Sequence, residues 1–273
     1  MNTALRSVLA IFQDSLTVAD LVRHQRLAVV APGADVREVH RWLLAKGYDQ
    51  APLRDVPVGS YVDVSWLTGA TGTVADHAQP IPDRLRLAET EPLLEALHRL
   101  RDEPSLFSTH REHVTGVVTR ADLGHPAVSM LALGMVTAME QSFDELILAE
   151  HGDSWIDVLP DARAQKVREV YEERRRFNAE LSLQRALNLE DRLDLVKKAA
   201  PAVREQLGYN STTALKRAAK QLKRTRNCLA HGDGILGSLP DPLAALDEID
   251  RIRVLAERAA AAADLALAQG AGH

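Results

Sequence analysis

Thr17-Val18-Ala19-Asp20 recurs as Thr73-Val74-Ala75-Asp76, and this echo organises the first half of the chain. Each copy is followed by a β-like run and then by a helix whose apolar positions superpose. Val36, Val39 and Leu43 fall 57 residues before Leu93, Ala96 and Leu100. The same offset carries Gly59 onto Gly116, and each glycine opens a strand-like run, Ser60 to Val64 and Val117 to Thr119. Helix ends are marked as well: Asp35 with Glu38 reads as a capping box, Gly47 as a C-terminal stop and Pro92 as a first-turn residue. Two β-α-β units are expected.

Beyond about Ala127 the strand signals stop. Amphipathic stretches run from Val128 to His151, Ala162 to Arg185, Asp191 to Leu207, Thr212 to Ala230 and Pro242 to Leu267, with apolar residues at helical spacing. Gly152-Asp153, Pro160, Gly208-Tyr209-Asn210 and Gly237-Ser238-Leu239-Pro240 fall between them, and connections this short suit antiparallel helices. The expected architecture is α+β over residues 1–126, including a short N-terminal helix, followed by an all-α bundle over 127–273.

The chain has 273 residues, a length at which one hydrophobic core tends to divide into two. Its 46% apolar and 26% charged residues are those of a globular protein, and with only 4% aromatics the cores must rest on aliphatic contacts. A formal charge of -5 supplies no overall field for nucleic acid, so an RNA-binding surface has to be local. The lone Cys228 excludes an internal disulfide and a cysteine-rich zinc site, and within a helix it reads as packing material. The longest apolar run, Val128 to Met139, is broken by Ser129, Gly134 and Thr137 and is too short to cross a bilayer. With no signal-peptide pattern around Arg6, Gln13 and Asp14, a cytoplasmic location is expected.

The second copy closes on Gly116-Val117-Val118-Thr119-Arg120-Ala121-Asp122. Gly116 permits close approach of a backbone, Thr119 offers a hydroxyl to a phosphate, and Asp122 can accept from both ribose hydroxyls at a helix start. Thr119 and Asp122 also read as an ordinary helix cap. With the repeat, over roughly residues 15–126, the pattern resembles a tandem CBS pair, or Bateman module. The resemblance implies an adenine nucleotide (AMP, ADP or ATP) as regulatory ligand on Gly116, Thr119, Arg120 and Asp122, with Arg120 at a phosphate. In the first copy Val62 and Ser65 stand where Thr119 and Asp122 stand in the second, so one nucleotide per module is expected.

The helix expected after Asn210 ends in Arg226-Asn227-Cys228-Leu229-Ala230-His231-Gly232. An arginine and a histidine fit RNA cleavage without a metal, because RNA carries its own nucleophile in the adjacent 2′-hydroxyl. His231 can move the proton, Arg226 can hold the phosphate and Asn227 can orient either. On an ideal helix the two lie about 140° apart, so a frayed last turn, the reach of a long arginine or a second copy across a dimer has to close the gap.

This motif resembles the HEPN signature, and the likeness extends over roughly Ala127 to Leu267. It implies a metal-independent endoribonuclease that acts as a homodimer and leaves a 2′,3′-cyclic phosphate. Arg226, Asn227, His231 and Glu140 form the candidate catalytic group, with Glu140, Asp144 and Glu145 as possible partners of Arg226. Lys220, Lys223 and Arg224, beside Lys216 and Arg217, form the candidate RNA-binding surface, and Arg174 to Arg176 lie on another helix. The alternatives are a solvated face balanced by carboxylates such as Glu172 and Glu173, and for His231 a contact with the helix dipole. Asp233 stands where a related subset carries a modifiable tyrosine, which leaves the CBS pair as the simpler control element. The ten histidines show no clustered metal-ligand spacing, so no metal is expected. The alternative to an enzyme is a non-catalytic, adenine-nucleotide-sensing dimer that binds RNA or a protein partner, with no membrane involved.

Overall fold

A computed structural model describes residues 4–54, 59–177 and 180–270. The chain forms two units, Leu16–Asp122 and a helical unit in which Ala4–Ser15 joins Leu123 and the residues after it.

In the first unit, α1 (Ala4–Ser15) having ended, α2 (Ala19–Val22) follows, and the first copy continues with α3 (Val36–Lys46), β1 (Gln50–Pro52) and β2 (Ser60–Asp63). The second copy comprises β3 (Gln79–Pro80), β4 (Arg86–Ala88), α4 (Leu93–Arg99), β5 (Ser105–His110) and β6 (His113–Thr119). Asp35 caps α3 by accepting from the backbone N–H groups of Arg37 and Glu38, without the return bond from Glu38 that a capping box adds, and Gly47 ends it in the left-handed conformation. Two three-stranded sheets result, β1-β2-β3 and β4-β5-β6. β1 and β2 pair antiparallel, as do β5 and β6, while β4 and β5 run parallel.

The repeated tetrapeptides exchange partners. Thr17 of the first copy bridges Pro92 at the start of α4, and Thr73 of the second bridges Asp35 at the start of α3. Backbone bonds follow the same exchange: Leu93 N–H donates to the Leu16 carbonyl, and Val36 N–H to the Gly72 carbonyl. β3, from the start of the second copy, completes the sheet of the first. The apolar stripe of α3 closes one core with Val30, Ala51, Val62, Leu67 and Val74. Tyr61 and Phe107, with ring centroids 5.1 Å apart, join the two copies, as does the Ser105 hydroxyl donating to Gln50 Oε1 at 2.9 Å.

The helical unit contains α5 (Pro126–His151), α6 (Asp161–Arg175), α7 (Leu189–Lys198), α8 (Pro201–Gln206), α9 (Thr212–His231), α10 (Gly234–Ser238) and α11 (Pro242–Gly270). No strand occurs in it among the described residues. Helix α5 is buried on most of its circumference, with Leu131, Met135, Met139, Phe143 and Ile147 at 0–1% exposure, because α1, α7, α9 and α11 all pack on it. No helix among the described residues is long and apolar enough to cross a membrane.

Three expectations are corrected. The N-terminal helix belongs to the helical unit rather than to the first domain: Phe12 lies against Gly134 so closely that a Cβ there would sit 2.2 Å from its ring. The helix expected from Asp191 to Leu207 is two, α7 and α8, because Pro201 has no N–H to donate and forces Ala200 to an extended ψ of 149°. The helix expected through Arg185 ends at Arg175, and a 3-10 turn at Leu183–Ala186 follows.

Candidate functional site

The Gly116-to-Asp122 segment is the tail of β6 and the 3-10 turn after it. Gly116 does not open the strand. It lies inside β6 next to a register shift between Ser108 and Thr109, and a Cβ on it would sit 2.5 Å from Val22 Cγ1. The glycine therefore makes room for the side chain of Val22 from α2, a packing duty where the sequence suggested room for a ligand. Beyond it, Thr119 donates to Asp122 Oδ2 from its N–H at 2.6 Å and from its hydroxyl at 3.2 Å. Thr119 Oγ1 in turn accepts from the Ala121 N–H at 3.2 Å.

The pair of bonds from threonine to aspartate occurs three times. Thr17 donates to Asp20 and Thr73 to Asp76 through the same two atoms, the N–H distances being 2.9 and 2.8 Å. The backbone bond from Thr73, then that from its hydroxyl, holds the Asp76 carboxyl below its ordinary value. The cap reading of Thr119 and Asp122 is thus the observed geometry, and both remain half-buried at the surface. Arg120 is engaged at the end of α4: its Nε donates to the Leu100 carbonyl and a terminal nitrogen to that of Arg101, both at 2.8 Å. In the first copy Asp63 replaces the threonine turn, accepting from the Ser65 N–H and hydroxyl.

The second candidate group sits on α9. Ser211 caps its N-terminus through Ala214 N–H, and Gly232, left-handed with φ 86°, ends it directly after His231. Leu215, Ala219, Leu222, Thr225 and Leu229 form its buried stripe. Arg226 stands at the edge of that stripe with 40% of its side chain exposed, whereas Asn227 and His231 are exposed on the outward face. Among the described residues no hydrogen bond or ion pair joins Arg226 to His231.

Glu140 on α5 meets Arg226: its Oε1 lies 3.9 Å from Nε. Its other oxygen lies 3.7 Å from Arg192, a residue the sequence reading did not select. Arg192, 5% exposed on α7, makes a two-bond fork to Asp144 at 2.7 and 2.9 Å and donates to the carbonyls of Leu187 and Gln184. Burial raises the Glu140 carboxyl, with Arg192 and then Arg226 pulling it back down; burial raises Asp144 too, against the hydrogen bond and charge of Arg192. Two carboxylates one helical turn apart on α5 thus share a buried guanidinium, and the half-exposed Arg226 closes the chain of charges.

Of the candidate RNA contacts, Lys220 and Arg224 are exposed, as are Lys216 and Arg217. Lys223 is engaged, its ammonium 2.5 Å from Glu190 on α7. The arginine run on α6 is partly engaged: Arg174 donates to the Arg185 carbonyl, and Arg175 lies 5.7 Å from the Tyr171 ring centroid. Behind Arg226, Thr225 donates to Glu248 Oε1 at 3.2 Å; Glu248 is 2% exposed and its carboxyl is raised by burial. Among the described residues no group of three or more His, Cys, Asp or Glu side chains could hold a metal ion.

No family model matches the sequence, and no curated protein matches it. Among solved structures the chain is similar to CBSX2 in complex with AMP, at 22% identity over 42% of this chain and 98% of that one, with a TM-score of 0.36. The CBS domain of the bacterial CNNM/CorC family Mg2+ transporter in complex with ATP is similar at 15% identity over 46% of this chain and 94% of that one, TM-score 0.32. Protein MJ1004 of M. jannaschii is similar at 16% identity over 87% of this chain and 98% of that one, TM-score 0.37.

Proposed function

We propose that the chain is a metal-independent endoribonuclease of the HEPN type whose activity is set by an adenine nucleotide bound to a CBS-like pair. The observation that carries the catalytic half is the tether between Arg226 and Glu140 on α5, which holds a half-exposed guanidinium at the end of a helix whose exposed face carries Asn227 and His231. Nε of Arg226 lies near Glu140, and in this reading its terminal nitrogens serve the phosphate. The sensing half is supported by the exchange of Thr17-to-Asp20 and Thr73-to-Asp76 between the copies, and by Thr119 and Asp122 at the end of β6.

In this reading two copies of α9 face each other in a homodimer, so that His231 of one acts beside Arg226 of the other. The RNA 2′-hydroxyl loses its proton to a histidine and attacks the adjacent phosphorus. The bond to the 5′-oxygen breaks, that oxygen takes a proton, and a 2′,3′-cyclic phosphate and a 5′-hydroxyl remain. Arg226 stabilises the added negative charge on the phosphoryl oxygens. Exposed Lys220 and Arg224 attract the RNA backbone.

The test is cleavage of a mixed RNA in EDTA, with and without AMP or ATP, by the wild type, Arg226→Ala and His231→Ala. Cleavage that survives EDTA, yields cyclic phosphate ends and disappears in both variants is the expected result. Absence of cleavage under every condition refutes the enzyme. The exposed Lys220 and Arg224 of α9 then favour the second reading, a nucleotide-responsive dimer that binds RNA without cutting it.

A further inference from the structure

Helix α3 carries Arg37, His40 and Arg41 along one face, beside a cavity of about 590 Å³ whose other wall is Leu67, Gly69, Ala70 and Thr71. The hollow is open to solvent, so it offers a docking place for a small charged group rather than an enclosing pocket. Val36, Val39 and Leu43 anchor the helix in the core, so the basic face is fixed toward the cavity. Gly69 has a positive φ of 73° and nothing within 4 Å of where a Cβ would stand, which leaves its side of the cavity open to a ligand.

The charges have no internal use. Among the described residues neither Arg37 nor Arg41 has an ion-pair partner. Asp35 spends its carboxylate on the N–H groups of Arg37 and Glu38, and among the described residues Glu38, which follows Arg37 and precedes Arg41 by three residues, forms an ion pair with neither arginine. Two like charges one turn apart on a helix disfavour the fold. Nor does the repeat require them, since Leu94, Leu97 and His98 occupy the matching positions of the second copy, 57 residues on. The fold is thus built equally well without the cationic face, which is a property of the first copy alone. A costly cluster at the mouth of a cavity is the arrangement expected where an anion binds.

We propose that this cavity binds the phosphate of a small phosphorylated ligand. Arg37 and Arg41 pair with its oxygens, the Thr71 hydroxyl and His40 complete the polar lining, and Leu67 with Ala70 faces the ligand's less polar part. This site is separate from Thr119 and Asp122 and does not depend on their binding a nucleotide.

The test is calorimetric titration of the full chain with pyrophosphate, repeated for Arg37→Ala/Arg41→Ala and for Asp122→Asn. Pyrophosphate is expected to bind the wild type, to bind the double variant at least about tenfold more weakly, and to bind Asp122→Asn unchanged. Competition with AMP then identifies the source of the phosphate: displacement marks a nucleotide, and its absence marks another phosphate ester. The proposal is overturned if pyrophosphate does not bind the wild type, if it binds the double variant equally well, or if only Asp122→Asn loses it. Because both arginines are exposed, the double variant keeps the melting temperature of the wild type, which separates lost binding from lost structure.

Discussion

Replacing Arg192 with methionine removes the buried hub of the α5, α7 and α9 contact while nearly preserving its volume. The side chain is 6% exposed and serves Asp144, Glu140 and two backbone carbonyls. Breaking a buried ion pair by deleting one partner costs about 3–5 kcal/mol, because the carboxylates stay behind in a poorly solvated place. For a unit of this size that corresponds to a melting shift of about 6–20 °C. The pH dependence follows from the carboxyls. Both are held above their ordinary values of 4.5 and 3.8 by burial, while Arg192 lowers them. A carboxyl raised on folding stabilises the fold fully below its unfolded value and loses that contribution as pH rises through the folded one. Without Arg192 both rise further, so the variant's deficit is larger at about pH 7.5 than at about pH 5. Scanning calorimetry at the two pH values reads this. The double variant Arg192→Met/Asp144→Leu, which replaces the fork by apolar contact, recovers part of the loss. A shift under about 2 °C, an equal shift at both pH values, or no recovery in the double variant refutes the reasoning.

Gly134→Ala reverses its usual sign: a helical alanine is favoured over glycine by about 1 kcal/mol, but here the Cβ collides with Phe12, so amides of α1 exchange faster with deuterium and the protein loses stability. A stabilised variant would show that α1 is not seated there. Thr225→Val leaves buried Glu248 without the hydroxyl that donates to it and costs about 1–3 kcal/mol in urea unfolding, with an unchanged midpoint excluding the bond. His231→Ala melts within about 1 °C of the wild type, since the ring is exposed at a helix end, while RNA cleavage in EDTA is lost. Asp122→Asn, which removes the charge at the turn while keeping its shape, weakens AMP at least about tenfold in calorimetry, and equal affinity would place the nucleotide elsewhere.

Local signals gave the first unit most of its outline. Asp35, Gly47 and Pro92 mark the ends of α3 and α4, and the 57-residue offset aligns their buried stripes. The offset could not show that the copies trade their leading segments. Thr17 at Pro92 and Thr73 at Asp35 are tertiary pairings, and either segment fits either helix start on local grounds. The break at Pro201 was legible, since proline disfavours helix in the residue before it, but a continuous apolar pattern from Asp191 to Leu207 masked it. The seat of α1 against α5 and α11, with Phe12 meeting a glycine more than a hundred residues away, is a long-range packing that no periodicity reveals.

At the candidate site, spacing alone fixes what α9 can do. Leu222, Thr225 and Leu229 turn inward, which sets Arg226 at the border of the core and five further residues place His231 outside it. The Glu140 partnership follows from that position, because an arginine at the border of a buried stripe reaches the next helix more readily than its own C-terminal end. Arg192 left a trace in the sequence, a cation beside Leu189, Leu193 and Val196 on one face of α7, and a cation there has to be paired when buried. Lys223 left none, since only the packing of α7 beside α9 brings it to Glu190. A motif read along one helix thus divides in space into an anchored arginine and an outward histidine. Chemistry that needs both draws either on the reach of the half-exposed arginine or on a second copy of the helix, and the proposed dimer takes the latter route.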